Sequence, residues 1–302
     1  MCPFHGVWPA LLTPFTSDGE VNEPVLRDLV EYLLEKRVDG FYVCGTTGEG
    51  IFMSADDRRR VAEIVLDQVR GRVPVIVHVG SIAVSDAIAL ARHAWEAGAA
   101  AVSSIIPPLY QDTRSVVAYF AEISAAVPDL PILSYIFGGS NDAVAFMREL
   151  MQHIPNLAGI KYTGPDMHEF RQIVTLRDQD WTVFSGMDEQ CLFAAMMGSS
   201  GNVGSTLNFM PGVYREIRES CEAGDLKRGL ELQIKANEVT SVLQAFGFPG
   251  ALREVMRLLG FECGEPRLPD LSLPEHKRDE LRSRLEDTDF WKLVAMGGLP
   301  SR

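Results

Sequence analysis

The sequence lacks the patterns by which several classes of protein are recognised. Its five cysteines are scattered, and no two of them form a C-x-x-C pair: Cys2, Cys44, Cys191, Cys221 and Cys263. This distribution argues against a disulfide framework or a zinc knuckle and predicts free thiols in a reducing compartment. Positive charge is also scarce, because 28 Lys and Arg face 41 Asp and Glu and give a formal net charge of -13. Such a balance argues against nucleic acid as a partner.

Long hydrophobic runs and targeting signals are missing as well. No stretch of about 18 apolar residues predicts a membrane span, and residues 1–6 lack the basic and apolar regions of a signal peptide. We therefore expect a cytoplasmic protein that does not bind a membrane. His5 and His78 have no companions at a spacing that suits a metal, so no metal site is expected. His78, within an apolar run, is more typical of a satisfied core histidine than of a catalytic one.

The sequence is built from one repeated unit, which is a short apolar run, a turn and a helix-like stretch. Its composition, 46% hydrophobic and 23% charged, is that of an ordinary globular protein. Most of the runs are apolar nearly throughout, which is typical of strands buried on both faces of a parallel sheet. Eight such runs are predicted as strands: residues 7–12, 40–44, 74–79, 101–106, 131–137, 158–162, 181–185 and 201–204.

Helical signals lie between these strands. Apolar residues within 25–34 share one helix face, and Ser54-Ala55-Asp56-Asp57 is typical of a capping box that opens a helix. Eight alternating units predict an α/β fold, a (β/α)8 TIM barrel over residues 1–222. A doubly wound sheet is the alternative, but the G-x-G-x-x-G that usually follows its first strand is absent. Further helices are predicted over residues 87–97, 116–127 and 142–153.

The pattern becomes purely helical after about residue 211. Helices are predicted over residues 213–222, 226–245, 251–259 and 273–285, with a linker at 264–269. No strand pattern occurs in this region. We therefore predict that residues 223–302 form a C-terminal helical appendage and not a second catalytic domain.

The most informative single residue is Lys161. It is the one amine in the apolar run Leu157-Ala158-Gly159-Ile160-Lys161-Tyr162-Thr163, near the end of a predicted strand. Desolvation favours the neutral, nucleophilic form of an amine, and such a lysine can form a Schiff base with a carbonyl substrate. Considered alone, the segment is explained more often by a snorkelling lysine or one paired to a carboxylate.

The ends of the second and fifth predicted strands carry polar groups. Barrel enzymes place their chemistry at the C-terminal ends of the strands. Gly45-Thr46-Thr47-Gly48-Glu49 exposes backbone N–H groups and two hydroxyls, which suits a carboxylate, although a plain strand-to-helix turn explains it equally well. Tyr135 is either a proton relay or a core tyrosine with a satisfied hydroxyl.

Other strand ends supply further candidates. Gly186-Met187-Asp188-Glu189 follows the seventh strand, where the two acids are either helix caps or acceptors for a polyol. Tyr110, after the fourth strand, is a candidate surface or interface aromatic, and Gly204-Ser205-Thr206 ends the eighth. A lysine, an anion-binding turn, a tyrosine and polyol acceptors at one end of one barrel together indicate a Schiff-base aldolase acting on a 2-oxo acid.

These segments resemble the dihydrodipicolinate synthase / N-acetylneuraminate lyase family. The resemblance runs from residue 6 to about residue 269, and its motifs are Leu12-Thr13-Pro14-Phe15, Gly45-Thr46-Thr47-Gly48-Glu49, Gly159-Ile160-Lys161-Tyr162-Thr163 and Gly204-Ser205-Thr206. It implies class I aldolase chemistry without a metal or an organic cofactor. Lys161 would form the imine with pyruvate, Tyr135 would shuttle protons, and Thr46 and Thr47 would hold the pyruvate carboxylate. Tyr110 would reach toward the site of a neighbouring subunit in a homotetramer.

The lyase branch of the family is the closer one. Gly186-Met187-Asp188-Glu189 is similar to the Gly-x-Asp-Glu that binds the glycerol-like tail of sialic acid, and Ser205 and Thr163 match further sugar-contacting positions. The synthase branch needs an arginine where Ser140 stands. Residues 136–141 depart from both branches, so the aldehyde partner stays open.

The resemblance therefore predicts an N-acetylneuraminate lyase-like enzyme. Such an enzyme cleaves a 2-oxo-3-deoxy sugar acid, a small molecule, to pyruvate and an aldehyde. The alternatives are another 2-oxo acid aldolase or dehydratase of the same family, dihydrodipicolinate synthase, and a sensor that binds 2-oxo acids without catalysis.

Overall fold

The core of the molecule is a closed sheet of parallel strands. The computed structural model describes residues 4–110, 112–138, 142–178 and 180–297. Its 8 strands follow the order β1-β8-β7-β6-β5-β4-β3-β2. The two strands at the ends of that order meet through a parallel bridge between Ala10 and Tyr42, so the sheet closes into a barrel. The strands are β1 Gly6–Pro9, β2 Phe41–Val43, β3 Val75–His78, β4 Ala101–Ile105, β5 Ile132–Phe137, β6 Leu157–Thr163, β7 Thr182–Ser185 and β8 Gly201–Gly204.

Helices surround the barrel and then continue beyond it. The barrel helices are α1 Glu23–Glu35, α2 Ala55–Val69, α3 Val84–Glu96, α4 Thr113–Ala126, α5 Ala143–His153, α6 Met167–Val174, α7 Cys191–Met196 and α8 Pro211–Glu222. The appendage contains α9 Leu226–Ala245, α10 Phe248–Leu258, α11 Arg278–Glu286 and α12 Phe290–Ala295. None of the described helices is long and apolar enough to cross a membrane. The predicted (β/α)8 barrel with a C-terminal helical segment is confirmed, whereas the domain boundary at residue 222 stays a prediction.

Some predicted element ends were wrong for local reasons. The second strand stops at Val43 because Cys44 has a left-handed backbone with φ of 57°, which a strand ladder does not accommodate. The helix predicted over 251–259 begins at Phe248, since the proline that follows fits the first turn of a helix. The helix predicted over 273–285 begins only at Arg278, after a 3₁₀ turn.

The apolar core lies on both faces of the sheet. A large cluster packs the outer face of the strands against the surrounding helices. Because each strand is buried on both sides, its sequence is apolar nearly throughout rather than alternating. The inner cluster fills the interior of the barrel and consists of Phe4, Trp8, Ala10, Tyr42, Ile76, Ala101, Leu133, Phe184 and Val203.

A buried ion pair fastens the appendage to the barrel. Arg253 of α10, 3% exposed, pairs with Glu49, 2% exposed, which follows β2. Arg253 also donates to the carbonyl oxygens of Thr13, at 3.1 Å, and of Cys263. The second carboxylate oxygen of Glu49 accepts a hydrogen bond of 2.7 Å from the Arg267 backbone N–H. Three separate segments of the chain therefore meet at one carboxylate.

Removal of one partner from this pair is expected to destabilise the protein strongly. Arg253→Met leaves the Glu49 carboxylate buried without its counterion, which typically costs about 3–5 kcal/mol. The free energy of unfolding, measured by urea titration, should fall by that amount. The control is Arg114→Ala, because the Arg114 side chain is 91% exposed in its pair with Asp112 and its loss should not be measurable. An equal effect of the two substitutions would contradict the role given to the buried pair.

Candidate active site

A cavity of about 250 Å³ opens at the C-terminal ends of the strands. Most of the residues predicted for the site lie around it. From the barrel it is lined by Leu12, Thr46, Thr47, Glu49, Tyr135, Phe137, Lys161, Thr163, Gly186, Val203 and Ser205, and from the appendage by Phe248, Pro249, Leu252 and Asp270. The barrel end that sequence motifs indicated is therefore a real concavity of a size that suits a small substrate.

Lys161 is a buried amine held between aromatic rings. It lies within β6, is 4% exposed, and its Nζ is 4.4 Å from the ring centre of Tyr135 and 4.7 Å from that of Tyr42. In the part of the chain that the structure describes, no carboxylate forms an ion pair with it. Neither a snorkelling nor a carboxylate-paired lysine fits this arrangement. The amine reaches the cavity without a counterion, which is the placement that a Schiff-base nucleophile needs.

Gly186 makes room for this lysine. A Cβ added at Gly186 would lie 1.8 Å from the Thr163 Oγ1 and 3.0 Å from the Lys161 Cε. The backbone after β7 therefore approaches the reactive side chain more closely than any other residue type allows. The Thr163 Oγ1 is buried and has no hydrogen-bond partner among the described residues, so a polar group of the substrate would satisfy it.

Tyr135 lies directly beside Lys161, since the two residues are paired in the register of β5 and β6. It is 1% exposed, and its hydroxyl is 3.4 Å from the Thr46 Oγ1. This pair of hydroxyls can pass a proton between the cavity and the tyrosine. Tyr42, the other ring beside the lysine, donates its hydroxyl to the Ser103 Oγ at 3.0 Å and so keeps its position inside the barrel.

The shape of the Thr46–Thr47 turn depends on Glu49 and Gly50. Glu49 has a left-handed φ of 56°, and a Cβ at Gly50 would lie 1.7 Å from the Cys44 carbonyl oxygen. The turn directs the two threonine hydroxyls at the cavity. The Thr47 Oγ1 lies 2.6 Å from the Ser205 Oγ, which joins the end of β2 to the end of β8.

Asp188 and Glu189 do not line this cavity. Asp188 is 5% exposed, and its Oδ2 accepts hydrogen bonds from the Thr206 backbone N–H at 2.9 Å and hydroxyl at 2.7 Å. Burial raises the pKa of Asp188 to about 6, against the opposing effect of the Thr206 hydrogen bonds. The Glu189 Oε1 accepts from the Gln244 Nε2 at 2.8 Å. Their proposed contact with a polyol stays a prediction.

Tyr110 also lies outside the cavity lining. Its hydroxyl donates to the Ile82 carbonyl oxygen at 3.3 Å, and its ring centre is 5.3 Å from that of Tyr119. Its predicted reach into a neighbouring subunit stays a prediction. Ser140, where the synthase branch needs arginine, lies outside the described residues.

His78 is a neutral core histidine, as predicted. The Ile105 backbone N–H donates to its Nε2 at 3.0 Å. Burial, with the nearby Arg58 and Lys161 cations, holds the pKa of His78 well below its usual range. No group of three or more His, Cys, Asp or Glu side chains in the described part of the chain is placed to hold a metal ion.

Several lining residues were missed because they belong to the appendage. Phe248, Pro249, Leu252 and Asp270 follow the barrel in sequence but cover its mouth. Helical periodicity alone does not show which barrel end a later helix covers. The sequence offered one signal for the start of α10, the Gly-Phe-Pro-Gly segment at 247–250.

Comparison with known proteins agrees with this geometry. Residues 3–288 match the Dihydrodipicolinate synthetase family. The N-acetylneuraminate lyase of Rhizobium meliloti is 33% identical over 292 residues, covering 95% of this chain and 96% of that protein. The N-acetylneuraminate lyase of Mus musculus is 33% identical over 297 residues, covering 95% and 93%. The structure of Proteus mirabilis N-acetylneuraminate lyase aligns with a TM-score of 0.90 at 31% identity and covers 95% of this chain and 99% of that chain. The chain that carries this lysine-centred cavity therefore belongs to the dihydrodipicolinate synthetase family.

Proposed function

We propose that this protein is a Schiff-base (class I) pyruvate aldolase of the N-acetylneuraminate lyase type. It cleaves a 2-oxo-3-deoxy sugar acid to pyruvate and an aldehyde. The observation that carries the proposal is the buried Lys161 amine, which has no ion-pair partner among the described residues and faces a cavity lined by hydroxyls. The similarity to two N-acetylneuraminate lyases over nearly the whole chain supports it.

The first chemical step forms the imine. The Lys161 amine attacks the keto carbon with its lone pair, the C=O π bond breaks, and a proton passes from the nitrogen to the keto oxygen, which becomes the hydroxyl of a carbinolamine. That hydroxyl leaves as water when it receives a proton, and Tyr135, whose hydroxyl is 3.4 Å from the Thr46 Oγ1, is placed to deliver it. The substrate carboxylate lies against the hydroxyls of Thr46 and Thr47, which fixes the keto carbon next to the amine.

The second step breaks the bond between C3 and C4. Tyr135 accepts the proton of the C4 hydroxyl, the C4 oxygen becomes the aldehyde carbonyl, and the bonding electrons move through C3 to the imine nitrogen. The product on the enzyme is an enamine, which is protonated at C3 and hydrolysed to pyruvate and free Lys161. The imine is itself the electron sink, so this sequence requires neither a metal nor an organic cofactor.

The charges and hydroxyls of the cavity lining also indicate which kind of aldehyde is released. Among its described lining residues, Lys161 is the one basic side chain, whereas Glu49, which pairs with Arg253, and Asp270 are acidic. A second acidic group on the substrate would therefore find no counter-charge, which disfavours aspartate semialdehyde. The Thr163 hydroxyl, which has no hydrogen-bond partner among the described residues, favours a hydroxylated aldehyde instead.

We further propose a cytoplasmic homotetramer, with small molecules as substrates and with neither nucleic acid nor a membrane as a partner. Some of the large apolar side chains that remain exposed suit contacts between copies of the chain. Leu226, Leu230 and Ile234 form a stripe along α9, and Leu109 is 82% exposed beside Tyr110. The net charge of -13 agrees with the absence of a nucleic acid partner.

Borohydride trapping tests the imine directly. Incubation with pyruvate and borohydride should give a reduced pyruvyl adduct on Lys161, detected by peptide mass spectrometry, because only a Schiff base is fixed by this reagent. Lys161→Ala should abolish the adduct, whereas Lys292→Ala, which removes a side chain that is 81% exposed, should retain it. A wild-type protein without an adduct at saturating pyruvate would exclude the aldolase.

Tyr135→Phe tests the proton relay. Loss of the hydroxyl should lower kcat by about 10²- to 10⁴-fold, since general acid–base catalysis contributes that much. The control is Tyr162→Phe, because the Tyr162 hydroxyl donates to the Glu169 carboxylate at 2.5 Å, in the apolar layer outside the barrel. Its kcat should change only a few-fold. Similar losses in the two variants would show that Tyr135 acts through packing alone.

A substrate panel tests the branch of the family. Sialic acid should be cleaved with a kcat/KM at least about 10²-fold above that for the condensation of aspartate semialdehyde with pyruvate, because unpaired charges and hydroxyls discriminate strongly. 2-Keto-3-deoxygluconate is the third substrate of the panel. A preference for aspartate semialdehyde would instead assign the protein to the synthase branch.

A further inference from the structure

One hydrogen bond crosses the mouth of the barrel between two residues of the site. The Ser205 Oγ, after β8, and the Thr47 Oγ1, after β2, are 2.6 Å apart and partly buried. Both side chains line the cavity. The resemblance to the lyase branch gives these residues separate tasks, with Thr47 at the carboxylate and Ser205 at the sugar. Their direct contact therefore places the residue assigned to the sugar against the residue assigned to the carboxylate.

The backbone of Ser205 is fixed from one side by Asn208. The buried Asn208 Nδ2 donates to the carbonyl oxygens of Ser205 and Ala10, both at 2.8 Å. Its Oδ1 accepts from the Leu12 backbone N–H at 3.0 Å. A single amide therefore joins Ser205 to the segment that follows β1, and the end of β8 cannot shift without breaking these bonds.

Asp188 fixes the same segment from the other side. Its Oδ2 accepts from both the backbone N–H and the hydroxyl of Thr206, the residue after Ser205. A Cβ at Gly204 would lie 1.5 Å from the Asp188 Oδ1, so the carboxylate packs directly against the backbone before Ser205. With the residues on both sides held, the Ser205 side chain is directed at Thr47.

The turn that carries Thr47 is equally constrained. The Thr13 hydroxyl donates to the Gly48 carbonyl oxygen at 2.8 Å. The Gly50 N–H donates to the Gly45 carbonyl oxygen at 3.0 Å, and the Glu49 carboxylate is held by Arg253. Neither end of the Ser205–Thr47 contact is thus free to move away when the substrate enters.

The chemistry of hydroxyl groups gives this contact a direction. A hydroxyl has one proton to donate and two lone pairs to accept with. When Thr47 donates its proton to a carboxylate, the 2.6 Å contact persists only if Ser205 donates to Thr47. A donated hydrogen bond also polarises the Thr47 hydroxyl and strengthens its own bond to the anion.

We propose that Ser205 is a positioning residue of the carboxylate subsite, which orients the Thr47 hydroxyl toward the pyruvate carboxylate. This inference rests on the proposed function. In this arrangement the single proton of Ser205 is committed to Thr47, so Ser205 meets a hydroxyl of the aldehyde part only as an acceptor. Ser205 therefore governs the affinity for pyruvate in the absence of any aldehyde.

The test measures imine formation at increasing pyruvate concentration, with borohydride trapping and no aldehyde present. Ser205→Ala should raise the half-saturating pyruvate concentration about three- to tenfold, the loss expected for one hydrogen bond between neutral groups. Ser205→Thr, which keeps the hydroxyl, should restore most of the affinity. In a Thr47→Val background, Ser205→Ala should have no further effect, because the partner that it orients is gone.

A second measurement separates the two possible roles of Ser205. In the condensation direction at saturating pyruvate, Ser205→Ala should change the KM for N-acetylmannosamine, the aldehyde that sialic acid cleavage releases, less than it changes the half-saturating pyruvate concentration. An unchanged half-saturation for pyruvate with a raised KM for N-acetylmannosamine would overturn the inference and assign Ser205 to the sugar. So would an equal effect of Ser205→Ala with and without Thr47, since that indicates a general structural loss. Failure of the wild type to form any adduct is a separate result that rejects the proposed function itself.

Discussion

The buried ion pair between Glu49 and Arg253 is the interaction on which the rest of the site depends. It joins the turn after β2 to helix α10, and through the Arg267 backbone it also holds the segment that leads to Asp270. Desolvation makes such a pair a poor source of stability compared with apolar side chains of the same volume. The pair instead fixes the geometry of the site, because a buried charge is stable only while its counterion and hydrogen-bond partners stay in place. The threonine turn and the cover of the cavity are thereby fixed relative to each other.

In the proposed reaction, the site inside this frame would hold an anion with neutral donors. Thr46 and Thr47 would offer hydroxyls to the carboxylate, and Lys161 is the one basic side chain among the described lining residues. Hydroxyl groups orient a carboxylate without cancelling its charge. The carboxylate of a bound 2-oxo acid then remains available to stabilise the positive imine nitrogen beside it, inside a cavity of low dielectric where that attraction is strong. An arginine in this position would hold the anion more tightly and would oppose the charge that develops on the imine.

Local sequence patterns predicted much of the candidate site. The apolar run around Lys161 predicted a strand with one amine near its end, although the run alone favoured a snorkelling or carboxylate-paired lysine. The glycines around Thr46 and Thr47 indicated a tight turn with exposed hydroxyls, because such a turn depends on neighbours in the chain. The order of strands and helices gave the barrel, and a barrel brings all strand ends to one face. For Asp188 the sequence left two interpretations open, a helix cap or a polyol acceptor. Its hydrogen-bonded partner in the structure is Thr206, which lies 18 positions further along the chain.

The sequence by itself determined the barrel and placed the lysine on β6 and the tyrosine on β5. It did so because periodicity, apolar runs and turn residues act over a few positions. Only the tertiary structure decided that Glu49 binds Arg253, 204 positions away, that Ser205 meets Thr47 across the barrel mouth, and that α10 and Asp270 cover the cavity. These contacts depend on how the sheet closes and where the appendage packs. No local sequence pattern predicts these contacts, since each of the residues involved could pack against many different neighbours.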